Sequence, residues 1–235
     1  MRPSFDELVG VDALRLWAGK AKDLLKGPPL TRPKALLLAG LPGTGKGACT
    51  RALARHLESP LLHFDALTDA AHLGEVLETV RQSEPCVLWI DGLNPHCHAL
   101  ARWLSLHDEI PGLVVGTTDE PHQLGSALTR AGVFDEVFHL DLPDSSGRAS
   151  IWDAVLKRFG LDPVSFDNVR LAQATGLFTP GEVMACVKRA VNSSERIDER
   201  SLLEPIGRIS PIGHREDEKL ALIRRWAKVH ALPAA

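Results

Sequence analysis

The run Gly40-Leu41-Pro42-Gly43-Thr44-Gly45-Lys46 constrains this chain more than any other segment, because it lies between an apolar stretch and a helical one. Its glycines let backbone N–H groups turn inward around an anion, and the lysine can reach the far phosphates of a polyphosphate. Lys34 to Ala39 reads as a short buried strand and Gly45 to Leu57 as a helix, so the free amides and dipole of the helix N-terminus point at the same place. Strand, loop and helix in that order make the run a phosphate-binding loop, with Pro42, Gly43, Thr44, Gly45, Lys46, Gly47 and Ala48 as its contact residues. One position departs from the pattern. A hydroxyl that ligates magnesium normally follows the lysine, and this chain has Gly47 there.

Beyond the loop, short apolar segments alternate with helical ones, the pattern of a parallel sheet covered on both faces. Strands are expected at Lys34 to Ala39, Pro60 to Phe64, Cys86 to Ile90, Leu113 to Thr117 and Val137 to Leu140. After Leu142-Pro143 only helices are expected, at Ser145 to Phe159, Asp167 to Thr175, Pro180 to Val191, Asp198 to Arg208 and Arg215 to His230. Thr179 and Glu182 predict a capping box around Pro180. The chain therefore reads as an α/β domain over 1–143 followed by a helical lid over 144–235.

A net charge of −3 argues against a nucleic-acid footprint. No apolar run approaches the roughly 20 residues of a membrane span, and Met1-Arg-Pro-Ser-Phe-Asp lacks the apolar core of a secretory signal. Cys49, Cys86, Cys97 and Cys186 show no CxxC spacing, which predicts buried thiols in a reducing, cytoplasmic setting.

Cys86-Val-Leu-Trp-Ile-Asp91 is a second nucleotide signature, an apolar strand ending in a carboxylate that can hold magnesium through its water shell. With the phosphate loop it makes the chain resemble the AAA ATPases, over nearly its whole length. Phe5-Asp-Glu-Leu-Val-Gly10 is similar to the family's opening segment, which implies that Val9 and Gly10 line an adenine pocket. Gly116 to Pro121 resembles the sensor-1 strand end, Leu128 to Glu136 the arginine-finger stretch, and Thr175 to Val183 the start of the lid helix that brings Gly181 to the nucleotide. The Cys86 strand, Val133 to Pro143 and Ile223 to Ala227 look most like the uncharacterised cyanobacterial and plastid-encoded AAA proteins. The resemblance implies a P-loop NTPase-type sheet in the order 5-1-4-3-2, ATP or ADP as ligand with magnesium as its companion, and assembly with other AAA subunits.

Against that family the chain shows losses at each catalytic station. Gly92 follows Asp91 where the family has a water-activating Glu, a group worth ~10²–10⁴ in rate. The finger arginine, worth ~10³–10⁵, falls on Val133, and a second basic position on Glu136. The sensor-1 Asn falls on Asp119, or on Thr118 if the register is one off. Arg130 could act as a displaced finger, and Glu75 or Glu120 as a substitute base. Asp65 to Glu75 keeps Gly74 and Glu75 without the aromatic of a substrate-gripping loop, and Gly92 to His98 leaves little room for a second one, which predicts no threading of polypeptide.

His96, Cys97, His98 and His107 read as an incidental surface cluster, since adjacent ligands point apart and no second pair stands at a zinc spacing. Trp17, Trp103 and Trp152 read as packing, Trp89 as buried, and the apolar stripe of the last helix as packing on the lid. The sequence thus predicts an adenine-nucleotide-binding AAA module that hydrolyses slowly or not at all and works as an assembly or regulatory subunit, apart from membranes and nucleic acid. An active remodelling motor and a nucleotide-free scaffold are the two alternatives.

Overall fold

The computed structural model describes residues 3–107, 110–193 and 196–235. The sheet runs through β1 (Ala35–Ala39), β2 (Leu61–Asp65), β3 (Cys86–Asp91), β4 (Gly112–Thr118), β5 (Glu136–His139) and β6 (Leu232–Pro233). Its order is β2-β3-β4-β1-β5-β6, and every pairing is parallel. The five expected strands stand in the expected order, and β6 extends the sheet beyond β5.

Helices α1 (Asp12–Leu24), α2 (Lys46–His56), α3 (Ala66–Asp69), α4 (Leu73–Arg81), α5 (His98–Leu106) and α6 (Ser126–Thr129) surround the sheet. Then follow α7 (Ser145–Arg158), α8 (Asn168–Ala174), α9 (Pro180–Ser193), α10 (Glu199–Gly207), α11 (Ile212–Arg215) and α12 (Asp217–His230). β1 is apolar at every position and fully buried, which is what a central parallel strand with two covered faces requires. Leu37, Leu88, Ile90 and Leu100 pack on one face, and Leu36, Leu38, Leu53 and Phe138 on the other. The lid helices have a core of their own around Trp152, Leu171, Val183 and Leu202. There the Trp152 indole N–H donates to Thr175 Oγ1 at 3.1 Å, so the largest buried ring has no unpaired polar atom.

The end of the chain departs from the expected helical lid. Leu220 and Ile223 of α12 pack on Leu41, Trp226 packs on the sheet's core, and Ala234 N donates to His139 O at 3.1 Å while Ala13 N donates to Ala234 O at 3.0 Å. The apolar stripe of the last helix is as read from the sequence, but it covers Leu41 and Leu142 of the α/β part together with Ile212 of α11, and not the core of the lid. An amphipathic stripe specifies burial, not the surface that provides it. The helix expected from Arg215 to His230 starts two residues later, at Asp217, because Glu216 has φ −122° and ψ 40° and separates α11 from α12.

The register places the functional ends together. Ala39 pairs with Thr118, Ile90 with Gly116 and Asp65 with Asp91. The carboxyl ends of β1, β3 and β4 therefore meet at one edge, the usual ligand position in an open parallel sheet.

Candidate functional site

A cavity of about 960 Å³ opens at that edge, at the upper end of the ~300–1,000 Å³ typical of small-molecule sites. The phosphate loop forms its floor, the opening segment with Val9 and Val11 forms one wall, and Ile151, Val155 and Met184 of the lid close it with apolar surface. Of the residues the sequence assigned to ligand contact, Val9, Pro42 to Ala48 and Gly181 line the cavity. Gly10 lies between Val9 and Val11 with φ +70° and makes the turn instead of lining the wall.

The loop is built as an anion cradle. Gly43 and Gly45 have φ +85° and +107°, a region that side chains with a Cβ rarely adopt. Gly45 caps α2 without a side-chain acceptor, so the first amides of this eleven-residue helix remain free donors. The lid rests on the loop: Gly181 N donates to Gly43 O at 3.0 Å, and a Cβ on Gly43 would lie 2.7 Å from Thr179 Oγ1. Thr179 is held in turn by the expected capping box, with Thr179 N donating to Glu182 Oε2 at 2.9 Å and Glu182 N donating to Thr179 Oγ1 at 3.3 Å.

Lys46 Nζ donates to the carbonyls of Gly40 at 2.6 Å and Leu41 at 3.0 Å. Burial lowers its pKa from 10.5 to about 8, with Asp119 and Asp91 opposing the shift only in part. The folded pKa lies below the unfolded one, so the unfolded chain holds the proton more tightly and this group makes the free protein more stable as pH rises from about 8 to 10.5. A polyphosphate needs the charged form. Its binding should therefore weaken as pH rises through 8 and, at pH 8, take up about half a proton. Calorimetry in buffers of different ionisation enthalpy measures that uptake, and pH-independent binding without proton uptake would contradict a lysine held below its ordinary pKa.

The catalytic stations are filled, not merely vacated. A Cβ on Gly47 would lie 2.7 Å and 2.9 Å from two ring carbons of Trp89. Trp89 is 9% exposed and is pinned by its indole N–H donating to Thr117 Oγ1 at 3.2 Å, while the Thr117 hydroxyl donates to Asp91 Oδ1 at 2.5 Å. At Gly92 a Cβ would lie 2.4 Å from Leu67 Cγ. Leu67 is 73% exposed and can swing aside, so the stronger obstacle to a Glu there is the backbone, at φ +75°.

Asp119 lines the cavity but is bound by Lys219 Nζ of α12 at 2.7 Å. Thr118 also lines it, and its Oγ1 accepts from Glu120 N at 3.1 Å. Neither takes the place next to Asp91 that Thr117 occupies. Val133 is 2% exposed and packed in the sheet's core, so the finger position does not face a neighbour.

Arg130 lies outside the cavity, its guanidinium donating to Ser105 Oγ at 2.7 Å. Glu75 sits on α4 and Glu120 pairs with Lys219 at 3.4 Å; neither lines the cavity. The histidine cluster does not assemble, since Cys97 is buried in the core and no group of three or more His, Cys, Asp or Glu able to hold a metal occurs among the described residues.

The sequence reading missed Trp89, Thr117, Arg51 and Lys219. Strand alternation could have found the first, because Trp89 and Asp91 are two residues apart and share a face of β3. Lys219 had no such signal, as it depends on where α12 docks.

The sequence pattern of the "ATPase family associated with various cellular activities (AAA)" matches residues 36–142, the segment that carries β1 to β5 and both nucleotide signatures. Residues 36–142 form an AAA-family domain. Outside it, the similarity extends into the flanking regions. The "Uncharacterized AAA domain-containing protein ycf46" of Gracilaria tenuistipitata var. liui is 28% identical over 95% of this chain and 52% of its own length. The "Mitochondrial inner membrane i-AAA protease supercomplex subunit YME1" of Saccharomyces cerevisiae is 30% identical over 80% of this chain and 30% of its own. The "ATP-dependent zinc metalloprotease FtsH 2" of Bdellovibrio bacteriovorus is 26% identical over 89% and 40%. The chain spans about half the length of the ycf46 relatives it matches. Among the described residues, no helix is long and apolar enough to cross a membrane.

Proposed function

We propose that the protein binds adenine nucleotide as a structural ligand and hydrolyses it negligibly, so that nucleotide locks the lid onto the AAA domain in an assembly or regulatory subunit. The observation that carries this reading is Trp89, whose ring fills the space beside Gly47 where a magnesium-binding hydroxyl would stand. Missing side chains could be replaced by water, whereas a pinned indole must be displaced. The buried Val133 supports the same reading, because a neighbouring subunit could receive no arginine from that position.

The cradle itself fits a nucleotide: glycines where a Cβ would clash, free helix amides, and a half-buried lysine whose cation has carbonyls but, among the described residues, no carboxylate in direct contact. Bound nucleotide would bridge the loop, the opening segment and the lid. At a hundred times Kd it should stabilise the fold by ~2.7 kcal/mol, a rise in melting temperature of about 5–10 °C for a chain of this size. The deciding experiment is denaturing the purified protein and separating released nucleotides by anion exchange, before and after hours with ATP. Retained, uncleaved ATP with the thermal shift supports the reading. Steady conversion to ADP that disappears in Lys46→Ala would replace it with a motor, and absence of any binding would leave a scaffold.

A further inference from the structure

Magnesium fits this site poorly. Gly47 offers no oxygen, the Trp89 ring occupies the adjoining space, and Asp91, the carboxylate at the end of β3, already accepts from Thr117 and has His63 Nε2 at 3.7 Å. A hexahydrated ion demands near-ideal octahedral room and gives up its waters reluctantly. The charge it would bring still has to come from somewhere, because a nucleoside polyphosphate carries several negative charges into a partly dry cavity.

The second turn of α2 supplies a candidate. Arg51 is one helical turn beyond Gly47 and lines the cavity. Its guanidinium carbon lies 5.3 Å from the centroid of the Trp89 ring, and its Nη1 would be 3.4 Å from a Cβ placed on Gly47. It is half-buried, and among the described residues no carboxylate forms an ion pair or hydrogen bond with it, unlike Lys219 with Asp119 or Arg224 with Asp141. His63 also lies against Trp89, with ring centroids 4.4 Å apart and planes tilted by 44°.

We propose that Arg51, seated on Trp89, takes over the charge-neutralising role of the metal, so that this pocket binds adenine nucleotide without magnesium. The inference rests on the nucleotide-binding reading above and specifies the form of the ligand. A guanidinium is cationic at every pH of interest and presents a planar fork of donors that suits phosphate oxygens in pairs. The indole face holds it by cation–π attraction while leaving its edge for the ligand. In this arrangement Gly47 and Trp89 are one device: the glycine admits the ring, the ring carries the cation, and the cation stands beside the position that a metal-ligating hydroxyl would otherwise take.

The test is titration of the whole chain with ATP and with ADP, in excess chelator and in excess magnesium, for wild type, Arg51→Gln and Arg51→Lys, with thermal melts of each nucleotide-free protein as a folding control. Wild type should bind metal-free and magnesium-bound ATP within three-fold of each other. Arg51→Gln should weaken metal-free binding ten-fold or more, and Arg51→Lys should lose less. A wild-type preference for magnesium of three-fold or more overturns the proposal but leaves the nucleotide module standing. Metal-independent wild-type binding that Arg51→Gln does not change overturns the role of Arg51. No nucleotide binding in either condition overturns the underlying reading, and this proposal with it. Should Arg51→Gln fail to fold, the wild-type ratio and Arg51→Lys decide the matter.

Discussion

Lys46→Met should weaken nucleotide binding severely without costing the nucleotide-free protein any stability. Lys46 is the half-buried cation at the head of α2, and its ammonium is the group best placed to meet the terminal phosphates. Removing a charge-assisted contact to an ionic ligand typically costs about 2–5 kcal/mol, so affinity should fall by ~30-fold to several thousand-fold. The nucleotide-dependent rise in melting temperature should shrink with it. In the free protein the sign is opposite. Lowering the lysine pKa from 10.5 to about 8 means that holding the charge in the pocket at pH 7 costs at most about 3 kcal/mol. Methionine removes that cost and keeps most of the apolar stem. Against it stands the loss of a donor to the carbonyls of the buried Gly40 and Leu41; the Leu41 carbonyl still accepts from Thr44 N and Thr44 Oγ1, and leaving the one Gly40 carbonyl unpaired costs about 1–3 kcal/mol, no more than the cost removed. The melting temperature of the free variant should therefore equal or exceed that of wild type at pH 7. A variant that binds nucleotide normally would remove the loop from consideration as the site, and one that unfolds would show that the two carbonyl contacts outweigh the desolvation.

Gly47→Thr, the reversion that restores the missing hydroxyl, should destabilise the protein and gain nothing by itself. The new Cβ would lie 2.7 Å from the Trp89 ring, and the ring cannot withdraw without breaking its hydrogen bond to Thr117. Overpacking of this kind costs about 1–3 kcal/mol. Trp89→Leu alone should also destabilise, because it leaves space between α2 and β3. Combined, the two changes should cost less than their sum by about 1 kcal/mol or more, as for residues that share one volume. Denaturant melts of the three variants measure this coupling. Only the double variant should bind ATP more tightly with magnesium than without it. If Gly47→Thr alone is as stable as wild type, the indole is not the obstacle described above, and the site is open to a metal after all.

Much of this protein could be read from its chain. The glycines and Lys46 between an apolar strand and a helix fixed the phosphate loop, because backbone conformation and helix polarity are local properties. The five principal strands followed from apolar runs such as Ala35–Ala39, and the lid's entry point from the Thr179–Glu182 capping box, also local. Losses at positions 47, 92 and 133 were legible in the same way, as residue types that lack the needed chemistry. What stands in their place was not. That Trp89 reaches under Gly47, that Arg51 lies across its ring, and that Thr117 rather than Thr118 or Asp119 meets Asp91 all depend on how β3, β4 and α2 register against one another. Nor does the stripe of α12 say which surface it will cover. Its docking on the sheet brings Lys219 to Asp119 across a hundred residues of chain, and adds β6 to the edge of β5. Sequence determined each element and its intended burial, since those depend on spacing within a few residues; only the tertiary structure decided which side chains share a volume, since that depends on contacts between distant segments.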